Sequence, residues 1–205
     1  MNSTRLHFSS RSSLLADRVV PWWWVGIGVV SLCAGMVCLA PAAHAVDQCV
    51  NPTGTSPCTS TIQAAVTAAV TGDTITIASG TYPEHVVING KVLTLRGGGA
   101  ASTIVDGSAT ERVIRTTAAL TLTNLTVQNG LSNSTGGGVY VSNGPLTLDN
   151  VDVLSNTASG SGGGVWASGA MTVTGGLFQN NLCTGSSCNG GGLYGGGTLA
   201  LSGTK

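Results

Sequence analysis

Charge is scarce in this chain. Of its 205 residues, 8 are Lys or Arg and 8 are Asp or Glu, so the formal net charge is zero and charged residues make up 8%. An ordinary soluble domain carries about 25%. Without clustered Lys and Arg there is nothing to neutralise a phosphate backbone, which excludes a nucleic-acid binder. Disorder driven by repulsion is excluded as well, because 42% of the residues are hydrophobic and the few charges do not repel one another. Helical apolar spacing is missing after residue 72, so no layer of helices is available to cover a sheet. What the chain has in quantity is glycine, 31 residues, roughly twice the usual share, together with Thr, Ser and Val.

The first 45 residues read as a secretory signal peptide. Arg5, Arg11 and Arg18 precede an apolar run from Pro21 to Ala40 broken only by Ser31, and Ala43-His44-Ala45 forms a small-x-small site before Val46. A retained signal anchor is the competing reading, since a run of that length can span a hydrocarbon core. Cys33 and Cys38 lie within the run and lack the preceding small residue that lipoprotein processing prefers. The mature chain is expected to be secreted or placed at the cell surface, with no contact to membrane beyond its leader. It keeps four cysteines as two local pairs, Cys49 with Cys58 and Cys183 with Cys188. In an oxidising compartment such pairs close small loops. A zinc site is the weaker alternative, because CxxC spacing is absent and His85 is the one imidazole left. Neither a metal nor a cofactor is expected.

Repetition decides the architecture. Gly136-Gly137-Gly138-Val139-Tyr140, Gly162-Gly163-Gly164-Val165-Trp166 and Gly190-Gly191-Gly192-Leu193-Tyr194 begin 26 and 28 residues apart. A second element keeps the same phase: Leu120-Thr-Leu-Thr-Asn, Leu146-Thr-Leu-Asp-Asn, Met171-Thr-Val-Thr-Gly and Leu199-Ala-Leu-Ser-Gly. A short apolar stretch ending in an amide follows, as in Val127-Gln128-Asn129 and Leu177-Phe178-Gln179-Asn180. Each repeat thus offers three strand-sized pieces with alternating apolar residues. So short a unit cannot bury its own apolar face and must stack on copies of itself. The expectation is an all-β solenoid with Val139, Leu146, Leu148, Val151 and Val153 inward; a β-sandwich would not need this regular period.

Residues 46–72 read as a disulfide loop followed by a capping helix. Ser60-Thr-Ile-Gln63 fits a capping box with Ser60 as N-cap, and Ile62, Val66 and Val70 with Ala65 and Ala69 give an apolar stripe ending near Gly72. A short amphipathic helix suits the open end of a solenoid. Strands are predicted at 74–77, 86–88, 92–95, 103–105 and 113–115, with a turn at Gly80. Residues 73–205 suffice for about five coils, a rod of roughly 25 Å at the usual strand spacing. Because Leu199–Lys205 stops inside a repeat, a fragment of a longer solenoid is expected.

At this point the residues resemble a known family. Ser60-Thr-Ile-Gln, Gly72-Asp-Thr-Ile-Thr-Ile, Gly80-Thr-Tyr-Pro-Glu-His-Val-Val-Ile, Leu93-Thr-Leu-Arg-Gly and Thr103-Ile-Val-Asp-Gly look like the opening coils of right-handed parallel β-helix proteins of the pectin-lyase-like superfamily. The later repeats are similar to those of bacterial secreted β-helix proteins. The resemblance covers residues 60–205 and implies a right-handed parallel β-helix. It says little about activity, because this fold carries lyases, hydrolases, esterases, adhesins and passive rods.

Candidate chemistry is sparse. After Arg115 the charged residues are Asp149, Asp152 and Lys205, so the Asp/Glu cage and Arg base of pectate lyases and the later Asp and Arg motifs of pectin esterases have no match. Asp149 and Asp152, three apart on one strand, should point to opposite faces unless the chain bends at Asn150. Glu84, His85, Arg112 and Arg115 form a second group, in which strand parity separates the two arginines. No catalytic residue is assigned. Tyr140, Trp166 and Tyr194 should form an outward column, either a ligand-contact ladder for sugar rings or rings that stack on one another. Asn129, Asn156 and Asn180 should form a structural amide ladder. The reading these residues favour is a structural or adhesive segment that contacts extracellular polysaccharide or a cell-surface component. Its alternative is the N-terminal part of a pectate lyase- or pectinesterase-like enzyme.

Overall fold

Leucine and threonine alternate in these repeats, and the period of two puts the leucines on one face of a strand. In the computed structural model, which describes residues 47–205, that face is the interior of a right-handed parallel β-helix of about six turns. The expected signal peptide lies outside the described residues. The largest sheet stacks Gln48–Val50, Thr74–Ile77, Leu93–Gly97, Leu120–Gln128, Leu146–Leu154, Met171–Thr174 and Leu199–Ser202 in that order. A second sheet holds Val86–Ile88, Ile114–Thr116, Val139–Val141, Val165–Ala167 and Leu193–Gly195, and a third holds Leu131–Ser132, Thr157–Ala158 and Leu182–Cys183. Every pairing is parallel and in step with the sequence period: Leu146 lies beside Leu120 and Met171, and Val139 beside Ile114 and Val165.

Each coil turns its corners with left-handed residues. Leu146 and Leu148 enter the core, Asn150 at φ 51° bends the strand, Val151 and Val153 enter again, and Ser155 at φ 55° bends the chain once more. The three predicted pieces therefore become four, because the strand Leu146–Leu154 continues through its corner and the third sheet adds a two-residue piece. The inward side chains, Val139, Leu146, Leu148, Val151 and Val153 among them, are buried. Burying one such side chain contributes about 1.5–3 kcal/mol, and the stack repeats that gain in each coil.

The N-terminal part departs from expectation in four ways. Gln48–Val50 is a rung in its own right, paired with Thr74–Ile77. The Cys49–Cys58 bridge, with Cα atoms 4.6 Å apart, returns the chain so that Thr59 N donates to Cys49 O at 2.9 Å. Gly80–Pro83 is a strand rather than a turn, pairing with Thr103–Asp106. The helix spans Ile62–Ala68, with Thr61 and not Ser60 as its N-cap. Gln63 cannot close a capping box because its side chain pairs with the backbone of Val87, accepting from N at 2.7 Å and donating to O at 3.2 Å. Glu84 does the capping instead: its two carboxylate oxygens accept from Ile62 N at 2.9 Å and Gln63 N at 3.0 Å. At the other end Lys91 Nζ donates to Val66 O and Thr67 O. The helix stops early because Asp73 Oδ2 takes the amide of Val70 at 2.8 Å, which leaves Val70 exposed and outside the core stripe.

Candidate functional site

The second sheet presents one outward column, Val87, Arg115, Tyr140, Trp166 and Tyr194, fixed by strand register. Tyr140 and Trp166 stack with ring centroids 4.9 Å apart and planes 15° from parallel, and the Arg112 guanidinium lies 4.7 Å from the Tyr140 ring centre. Both faces of Tyr140 are therefore occupied, one by a cation and one by an indole. Tyr140 and Trp166 thus cover one another, and Arg112 covers the remaining face of Tyr140. This is the self-stacking alternative of the sequence reading, and it gives sugar rings no open face at Tyr140.

Where the aromatic column meets the irregular coils there is a cleft of about 430 Å³. Its walls are the strand that follows His85, the turn from Thr110 to Arg112, and the turn from Leu131 to Ser134, with Arg115 on its floor strand. Arg112 precedes the strand Ile114–Thr116, so strand parity does not govern its side chain, and both Arg112 and Arg115 line one cleft. Arg112 Nε donates to Thr135 O at 2.9 Å and Gly136 O at 3.1 Å. Burial holds its pKa below the ordinary value; the neighbouring positive charge of Arg115 acts the same way, while Tyr140 and Glu111 oppose both. Arg115 and Glu111 are exposed. Glu84 faces away, committed to the helix amides.

His85 sits half-buried between two partners. Its Nδ1 is 3.0 Å from Arg112 O, and its Nε2 is 3.0 Å from Thr110 Oγ1. A carbonyl oxygen only accepts, so Nδ1 carries the proton and a neutral ring leaves Nε2 as acceptor for the Thr110 hydroxyl. Thr110 was invisible to sequence reasoning, because it lies in a turn with no periodicity and meets His85 only across the coil. The nearest signal in the chain is the Asp106-Gly107 pair, a dipeptide that favours turns. Asp106 itself is structural. Burial would raise its carboxyl, but hydrogen bonds from Gln128, the Ser108 amide and Asn129 outweigh that and hold it below the ordinary carboxylate value.

Asp149 and Asp152 both end up on the outer surface, because Asn150 bends the strand between them. The expectation of opposite faces fails for that reason. They still form no pair of free carboxylates, since Asp152 Oδ1 accepts from Leu177 N at 2.9 Å. Among the described residues no group of three or more His, Cys, Asp or Glu could hold a metal ion. Cys183 and Cys188 are bridged, with Cα atoms 6.0 Å apart, across the turn between the third and second sheets.

The expected amide ladder of Asn129, Asn156 and Asn180 is out of register by one residue. Asn129 and Asn180 share the left-handed corner with Ser155, at φ 53°, 56° and 55°. Asn156 is the next residue along, beside Gly130 and Asn181. It is fully buried; its Oδ1 accepts from Gly130 N at 2.8 Å, and its Nδ2 donates to Val127 O and to Asn181 Oδ1. The corner takes a left-handed residue, Asn129, Ser155 or Asn180, and the next position carries the amides Asn156 and Asn181 above Gly130. A second amide pair joins Asn150 Nδ2 to Asn124 Oδ1 at 2.9 Å.

Comparison with solved structures agrees with the fold. The pectin methylesterase PemA from Erwinia chrysanthemi superposes with a TM-score of 0.50 and 16% identity over 66% of this chain and 49% of that one. A pectin methylesterase in complex with a hexasaccharide matches with a TM-score of 0.46 and 17% identity, over 66% of this chain and 54% of that one. At 16% identity the likeness to PemA shows the architecture alone. The chain spans about half the length of these proteins. No protein-family model matches it, and no curated protein matches its sequence.

Proposed function

We propose that this β-helix is exported and acts outside the cell, secreted or at the surface, as a structural or adhesive module that contacts an anionic polysaccharide. The single observation carrying this reading is the cleft. In a chain with 8 cationic side chains, two guanidinium groups converge there beside exposed hydroxyls and an amide, at Ser134 and Asn133. Guanidinium suits carboxylate recognition because its planar donors match two oxygens at once. Two disulfides accord with an oxidising compartment, and among the described residues no helix is long and apolar enough to cross a membrane. The enzymatic alternative, opening coils of a polysaccharide-acting protein, draws on the fold shared with pectin methylesterase.

Binding measured by calorimetry separates charge recognition from general stickiness. Polygalacturonate should bind, and dextran, which is neutral, should not. Arg115→Gln should weaken the interaction by about tenfold, the scale of one charged contact. Equal affinity for both polymers, or full affinity in Arg115→Gln, would reject the reading.

A further inference from the structure

We propose that Thr110 and His85 form a nucleophile–base pair that cleaves short esters bearing a negative charge. The arrangement has the three parts that such chemistry needs: a hydroxyl, a base within hydrogen-bond reach, and a group that orients the base. Thr110 Oγ1 lies 3.0 Å from His85 Nε2, and Arg112 O holds Nδ1 at 3.0 Å. That carbonyl fixes the tautomer in which Nε2 is free to take a proton. When the ring is doubly protonated, Nε2–H donates to Thr110 instead, and the hydroxyl has a second acceptor in Gly107 O at 3.2 Å. Both protonation states of the base are thus satisfied in place.

Two further observations point to the same residue. Thr110 is exposed on the cleft while its base is half-buried beneath it, so a substrate can reach the hydroxyl. The two residues before it, Ser108 and Ala109, both lie in the left-handed region at φ 52° and 54°. Ala109 has no polar side chain to compensate for that conformation, which bulky and simple L-residues avoid. The turn is held there by Ser108 N on Asp106 Oδ1 at 2.7 Å and Ala109 N on Asn129 O at 2.7 Å. Strain enforced by surrounding contacts at a cleft is a mark of a site. Substrate class follows from the neighbours: Arg115 is exposed in the cleft, whose volume of about 430 Å³ admits a small molecule or one end of a larger one.

The reaction balances with water as the only co-reactant. Thr110 Oγ1 attacks the ester carbonyl carbon while its proton passes to His85 Nε2. The carbon–oxygen bond to the alcohol breaks, and that proton leaves with the alcohol. Water then attacks the acyl-threonine, gives its proton to Nε2, and the acid departs as Thr110 Oγ1 recovers the proton.

The test uses the full chain with p-nitrophenyl acetate and p-nitrophenyl hemisuccinate, the second of which carries an added carboxymethyl group. Thr110→Ala and His85→Gln should each lower kcat/KM by about 100-fold or more, while Thr110→Ser stays within about tenfold. Arg115→Gln should raise KM for the hemisuccinate by a larger factor than for the acetate. Independently of any variant, a fluorophosphonate probe followed by peptide mass spectrometry should label Thr110 in the unaltered protein. No hydrolysis above buffer, a folded Thr110→Ala as fast as the original, or a label on another residue each overturns the proposal. Polysaccharide binding with no ester cleavage sinks this inference and spares the binding role; ester cleavage without polyanion binding does the reverse.

Discussion

Between Leu120 and Ser202 each coil copies the one before it, with leucines on leucines, an asparagine or glycine at the first corner and a glycine triplet ahead of the second sheet. Between Gln48 and Thr116 the rungs have the same spacing, yet their corners are held by particular side chains: Glu84 and Lys91 on the helix, Gln63 on Val87, Asp106 on its turn. The regular half keeps only Asp149, Asp152 and Lys205 as charges. The irregular half supplies both arginines and the histidine of the cleft. Repetition gives a rod whose strength comes from many equal contacts, and it leaves no place where unlike groups meet. The cationic and titratable groups gather where the repeat is broken.

The contrast can be tested from either side. In the regular half, Asn156→Ala should destabilise by about 3 kcal/mol, because it strands the amide of Gly130 and the carbonyl of Val127 inside the core, whereas Asn180→Ala should cost about 1 kcal/mol, the penalty of a left-handed alanine. Urea denaturation followed by circular dichroism reads both; equal losses would return the ladder to the register expected from sequence. In the irregular half, Glu84→Ala should cost about 1–2 kcal/mol by uncapping the helix. Hydrogen exchange should quicken at Ile62 and Gln63 and stay unchanged at Leu122; a uniform response along the rod would erase the distinction between halves.

The smallest effect concerns acid. The folded pKa of Asp106 is lowered, so its contribution is complete above the ordinary carboxylate value of about 4 and is lost as pH falls through the folded value. Melting temperatures recorded from pH 7 down to pH 3 should therefore fall less steeply for Asp106→Asn than for the unaltered chain. Parallel curves would show that the amide contacts at this turn do not distinguish the charged from the neutral side chain.

Sequence periodicity was enough for the solenoid, for its inward residues and for the column of Tyr140, Trp166 and Tyr194, because period and alternation map directly onto stacking. It placed the asparagines one residue off, since Ser155 can hold the corner as well as Asn129 and no spacing rule tells the corner from the position after it. The capping helix was legible, but the identity of its cap was not. Glu84 lies 22 residues from Ile62, and only the coil brings them together. The cleft was legible in part: the sequence groups His85, Arg112 and Arg115, whereas Thr110 meets His85 only across rungs, in the part of the chain where no repeat predicts which rung faces which.

The glycine triplets carry one more consequence. A Cβ on Gly137 would stand 2.5 Å from the carbonyl oxygen of Gly163, and one on Gly138 would stand 2.7 Å from that of Gly164; neighbouring backbones there touch with no side chain between them. Those positions are closed to change, while the outward residues a few places along, Tyr140 and Trp166, are held by side-chain contacts with each other and with Arg112. A molecule made this way can be rewritten on its exterior without renegotiating its interior, so new surfaces can be tried at small risk to the frame that displays them.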